Sequence, residues 1–177
     1  FVPSNSDRLY TGTDGGCFLN TNPSGAGSFE ARNTGLSCLC TNYLGLSASE
    51  PAVMFVGQQD NGTAKYAGEE LWRGVLFGDG GYCVVSPTDP FTALAYANGT
   101  VYRTTTGGKD WGDWSSVSSP PWSIMAEPLV MAPNGSRVAF GAGAGIYVSN
   151  NFGASFTTSP TFSLPSGSGG IYSMVFA

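Results

Sequence analysis

Residues 101–111 read VYRTTTGGKDW: one strand, one tight reversal and one anchoring aromatic. The β-branched and aromatic run at 101–105 suits a pleated, half-buried strand. Gly107 and Gly108 supply the positive φ angles that a short turn needs. Trp111 is then expected to open the return strand, with its ring packed beneath the hairpin.

The same phrase returns at 146–156 as IYVSNNFGASF. Ser149, Asn151, Gly153, Ser155 and Phe156 fall where Thr104, Thr106, Gly108, Asp110 and Trp111 fell. A short polar side chain at the first and third positions can bond the backbone of its own turn. A third, longer version runs from Asn20 to Phe29. This pattern resembles the Asp-box, or BNR, hairpin of sialidase-like and sortilin-like β-propellers, with Thr106 and Asn151 in place of the consensus aspartate. In those families the box lies on the outside of a blade, so the resemblance implies a fold and leaves the activity open.

The composition fits that fold. Charged residues make up 11% of the 177-residue chain, apolar residues 41%, and there are 26 glycines. Such a chain is turn-rich and all-β with an uncharged polar surface, and it is too apolar for disorder. Its net charge of −5 disfavours a grip on phosphate backbones, so no nucleic-acid partner is expected. No apolar run approaches the ~20 residues of a membrane helix, so no membrane insertion is expected. The chain opens at Phe1 with no leader sequence, which reads as a processed product or a piece of something longer. A secreted or cell-surface location is the corresponding expectation.

Histidine is absent, which removes Ser-His-Asp and Cys-His nucleophile systems and His-ligated metal sites. Of the four cysteines, Cys38 and Cys40 stand too close for a zinc knuckle. Either all are free thiols, or one disulfide joins Cys38 or Cys40 to Cys17 or Cys83.

Taking Phe29, Trp72, Trp111 and Phe156 as equivalent anchors gives a repeat of about 40 residues, the period of a four-stranded propeller blade. The blades expected are 1–32 completed by 170–177, then 33–76, 77–117 and 118–165. The unit containing Trp72 carries no box. Residues 115–127 read as a crossing loop, and 171–176 as an apolar first strand for the N-terminal blade. That strand can close a four-bladed ring, pair with another copy in a larger ring or filament, or belong to a longer propeller.

Two further motifs, GQQDNGT at 57–63 and FGDGGY at 77–82, resemble segments of secreted bacterial BNR-repeat propellers. Both are expected where a blade meets the face or tunnel of the ring, bringing Asp60 and Asp79 close. Two such carboxylates can serve as a glycosidase acid/base pair, hold a hard cation such as calcium, or orient sugar hydroxyls. The alternative is that Asp60 serves its turn and Asp79 ties the inter-blade loop. Gln59, Asp60, Asn61, Asp79, Tyr82, Trp114 and Trp122 are the candidate ligand-binding residues for a glycan or protein partner. The competing activity is that of a xyloglucanase-like glycoside hydrolase. Sialidase chemistry does not fit, because none of Arg8, Arg32, Arg73, Arg103 and Arg137 precedes Ile-Pro. Asn61, Asn98 and Asn134 begin Asn-x-Ser/Thr glycosylation patterns, each at an expected turn.

Overall fold

The computed structural model describes residues 7–13, 16–35, 39–68, 71–118, 128–143, 145–159 and 170–177. It is all-β and divides into two compact units, residues 1–39 and 40–177. The first unit is a three-stranded antiparallel sheet, β1 (Leu9–Thr13), β2 (Gly16–Asn20) and β3 (Glu30–Ala31), in that order.

The second unit holds three four-stranded antiparallel meanders. One is β4 (Thr41–Leu46), β5 (Met54–Gln58), β6 (Gly62–Gly68) and β7 (Leu71–Leu76). The next is β8 (Gly80–Val85), β9 (Ala93–Ala97), β10 (Thr100–Thr104) and β11 (Ser115–Ser118), and the last is β12 (Leu129–Met131), β13 (Val138–Ala142), β14 (Gly145–Ser149) and β15 (Thr157–Thr158).

These sheets pack face to face, and β9 shows how. Its sequence ALAYA is buried throughout, and successive side chains point to opposite faces. Ala93, Ala95 and Ala97 join a core with Phe55, Val75, Leu76, Cys83 and Trp114, against the preceding sheet. Leu94 and Tyr96 join Leu129, Val138, Phe140 and Ala142, against the following one. Small residues on one side and large ones on the other set how closely each neighbour approaches.

The strand ends repeat as well. Ser47 N–H donates to the Val53 carbonyl, Ser86 N–H to Thr92 and Ala132 N–H to Arg137, each closing the turn between the first and second strands. Between the second and third strands of the middle meander, Asn98 and Gly99 take φ of 47° and 80°, the two left-handed steps that an Asn-Gly hairpin needs.

The turns after β2, β10 and β14 share one bond. Thr106 N–H donates to Thr104 Oγ1, Asn151 N–H to Ser149 Oγ, and Asn22 N–H to Asn20 Oδ1. Gly108 N–H and Gly153 N–H return to the same Thr104 and Ser149 oxygens at 3.0 and 2.8 Å. In the last sheet Phe156 packs edge-on against Phe140 as the spacing predicts, with centroids 4.9 Å apart.

The middle sheet departs from its expected reading. Trp111 does not open the return strand; Trp111–Asp113 form a single 3-10 turn and β11 begins at Ser115, inside the stretch expected as a loop. The Asp113 carboxylate accepts N–H bonds from Lys109 and Asp110 at 2.7 and 3.3 Å, the reciprocal capping that starts a helical turn. The extra turn swings Trp111 outward to 48% exposure and seats Trp114 in the core at 8%.

Residues 170–177 form no strand, although their apolar alternation predicts one. Ile171 lies against Gly141 on β13, and without a ladder partner the segment has nothing to fix it as a strand.

Candidate functional site

The two Asp-Gly motifs meet at the junction of the β5–β6 hairpin with β8. Asp60 and Gly62 adopt left-handed φ of 61° and 72°, which reverses the chain. Asn61 Nδ2 donates to the Gln59 carbonyl at 3.0 Å, and Gln59 N–H to the Cys40 carbonyl at 3.1 Å. The Asp60 backbone N–H donates to Asp79 Oδ1 at 3.0 Å, and the Asp79 carbonyl accepts Asn98 N–H at 2.8 Å. The motifs are thus brought together as expected, joined through Asp79 and the main chain of Asp60.

Their glycines explain the closeness. A Cβ on Gly57 would fall on the Gly81 carbonyl oxygen, and one on Gly80 on the Gly62 carbonyl oxygen. The backbones touch with no room for a side chain. Among the described residues, no group of three or more His, Cys, Asp or Glu side chains gathers to hold a metal ion.

The aromatic candidates separate. Tyr82 stacks on Tyr43 with centroids 3.5 Å apart and planes at 24°, so one face of its ring is covered. Its phenol is pushed up to about 12, by burial first and by Tyr43 second. Tyr43 was not singled out by sequence, because the pair forms across two sheets. Trp114, a candidate ligand-binding residue, is buried edge-on to Phe55 at 5.5 Å. Its Nε1 has no hydrogen-bond partner among the described residues. Trp122 lies outside the described residues. Asn61, Asn98 and Asn134 all sit on exposed turns.

Cys17, Cys40 and Cys83 are free thiols, and Cys38 lies outside the described residues. Cys83 is sealed in the core with its Sγ toward the Gly81 carbonyl at 3.5 Å, while Cys40 is exposed beside Asn42. Burial pushes the Cys83 thiol up to about 12, so it stays protonated and inert at neutral pH. Iodoacetamide at pH 8 is expected to label Cys40 in the native protein and Cys83 only after unfolding, as read by peptide mass mapping. The Cys83 shift also sets an alkaline limit. Its folded pKa lies above the unfolded value, so its contribution is intact below about 8.5 and lost as pH rises toward 12.

A second recurring contact was not legible in the sequence. Lys65 Nζ, from β6, donates to the Gly107 carbonyl in the turn of the next sheet. Arg103 Nε, from β10, donates to the Phe152 carbonyl, the matching place one sheet further on, at 2.8 Å. A cation on the third strand of each of the first two meanders therefore staples the following turn.

No protein-family model matches the sequence, and no curated protein matches it. Among solved structures, a GH74 enzyme of Niastella koreensis is similar at 16% identity and TM-score 0.52, over 90% of this chain and 30% of that one. An ancestral GH74 enzyme is similar at 15% identity and TM-score 0.52, over 89% and 24% of the two chains. YCF48 from Cyanidioschyzon merolae follows at 18% identity and TM-score 0.45, over 68% and 37%. The chain thus spans less than a third of the two GH74 enzymes' length. Its consecutive four-stranded antiparallel sheets and the likeness to the two GH74 enzymes give it the fold of a β-propeller segment.

Proposed function

We propose that the chain is a non-catalytic binding or structural module of a β-propeller, with degenerate Asp boxes at 104–111 and 149–156. The shared hydrogen bonds from Thr104 and Ser149 to their own turns support the box assignment. One observation carries the non-catalytic reading: an Asp79 carboxylate oxygen accepts the Asp60 backbone N–H, which ties two sheets together where an acid/base pair would have to act on a bond. The glycines around both aspartates serve the same close approach.

The test uses Asp60→Asn and Asp79→Asn. The parent is expected to release no reducing ends from a panel of plant and microbial glucans and xyloglucans. Asp79→Asn is expected to cost about 1–2 kcal/mol in urea denaturation, because a charge-assisted bond becomes a neutral one. Asp60→Asn leaves the donor of that bond, a backbone N–H, unchanged. Glycan cleavage by the parent that disappears in both variants would replace this reading with a hydrolase.

A further inference from the structure

Where the second unit's first two sheets meet, a pocket of about 420 Å³ opens on the side of the β6–β7 hairpin. Lys65, Arg73 and Lys109 line it around an apolar wall that includes Val53, Tyr66 and Ala67. These are three of the chain's 7 basic side chains, both lysines among them, in a protein of net charge −5.

Sheet docking accounts for one of the three. Lys65 makes the staple described above, as Arg103 does at the next junction. At that next junction the counterpart of Arg73 is Ser115, since Arg73 pairs with Lys65 across the ladder as Ser115 pairs with Arg103. The counterpart of Lys109 is Ala154, each standing five residues beyond the oxygen that orders its turn. Docking there proceeds without either cation, so Arg73 and Lys109 are additions at this one junction.

The nearby acids leave these cations usable. Asp113 is engaged by its own turn, where the Lys109 backbone N–H in particular holds its carboxyl below the usual range. Asp110 meets Arg73 through a single contact of 3.3 Å on an exposed pair, the kind of bridge worth about 0–1 kcal/mol. Lys65 is held below an ordinary lysine, by burial first and by Lys109 second. A negative charge in the pocket would relieve that repulsion.

We propose that this pocket binds a small organic anion: a carboxylate on a ring-sized body. Arg73 offers its planar fork to the carboxylate with Lys109 beside it, and the ring rests on Val53, Tyr66 and the aliphatic stem of Lys65. The site is separate from the Asp60–Asp79 junction and does not depend on the function proposed for it.

The experiment is titration of the full chain at low ionic strength with benzoate, glucuronate and acetate, followed by two-dimensional NMR. Saturable binding is expected for benzoate, if the body is apolar, or for glucuronate, if it is a sugar acid. Acetate, which lacks the body, should bind at least about tenfold more weakly. Lys109→Gln and Arg73→Gln should each weaken the ring carboxylate by about tenfold or more, and both side chains sit where replacement leaves the circular dichroism spectrum unchanged. Three results would each overturn the proposal: no saturation by either ring carboxylate, equal affinity for acetate, or equal affinity in both variants. Glu69 and Glu70 follow Gly68 in sequence and lie outside the described residues. A gain of more than tenfold in the Glu69→Gln/Glu70→Gln variant would overturn it too, because the pocket's anion would then belong to the chain.

Discussion

Replacing Gly57 or Gly80 with alanine is expected to cost more than about 3 kcal/mol each, or to abolish folding, the upper range for overpacking. The added methyl would meet the carbonyl oxygen of Gly81 in one case and of Gly62 in the other. Both obstacles are backbone and cannot rotate aside as a side chain does, so the two sheets must part. Gly12 and Gly74 are the controls, since a Cβ there has nothing within 4 Å, and alanine at either should change stability by less than about 1 kcal/mol. Urea midpoints of the four variants would test this. A Gly57→Ala protein that unfolds with the controls would mean that β5 and β8 are not in backbone contact.

Trp114→Ala should be the most damaging aromatic truncation outside the fully buried phenylalanines, at about 3–5 kcal/mol. Trp111→Ala should cost about 1 kcal/mol. Trp114 fills the core between two sheets, edge-on to Phe55 and beneath Gly108. Trp111 is half exposed, against the rings of Phe77 and Tyr102. Because Trp114 Nε1 is buried without a partner among the described residues, Trp114→Phe should retain most of the stability: it keeps much of the ring and removes the unsatisfied donor, itself a cost of about 1–3 kcal/mol. Equilibrium denaturation followed by circular dichroism ranks the three variants. Trp111→Ala as the worse truncation would show that the spacing rule, and not the 3-10 turn, places the anchor.

That pair also shows how far the sequence can be read. The turn chemistry of Asn98-Gly99, of Thr104 and Ser149, and even of the stretched Asn20 version is local: a short polar side chain or a left-handed glycine acts within a few residues. Each could therefore be located from the sequence alone. The exchange of Trp111 for Trp114 was hidden because a few residues, capped by Asp113, outweigh a repeat written over the whole chain. Contacts between sheets were hidden for a different reason. The nearness of Asp60 and Asp79 follows from their motifs, but whether they work on a ligand or on the main chain depends on distances that no spacing records. The Lys65 and Arg103 staples and the Tyr43–Tyr82 stack join residues far apart in sequence, and nothing local to any one of them marks its partner.

The missing box in the second unit's first sheet has a consequence for how these proteins behave in crowded solution. After the boxes the outermost strands are shorter: β3 and β15 have two residues each and β11 four. By contrast, β7 runs for six residues at the border of its sheet, with Leu71 and Trp72 facing water and Arg73 as its single charge. Long, weakly charged borders template pairing between molecules, and the two register shifts of β7 against β6 blunt this one only in part. Arg73, the one charge on that border, therefore stands against such pairing as well as beside the pocket.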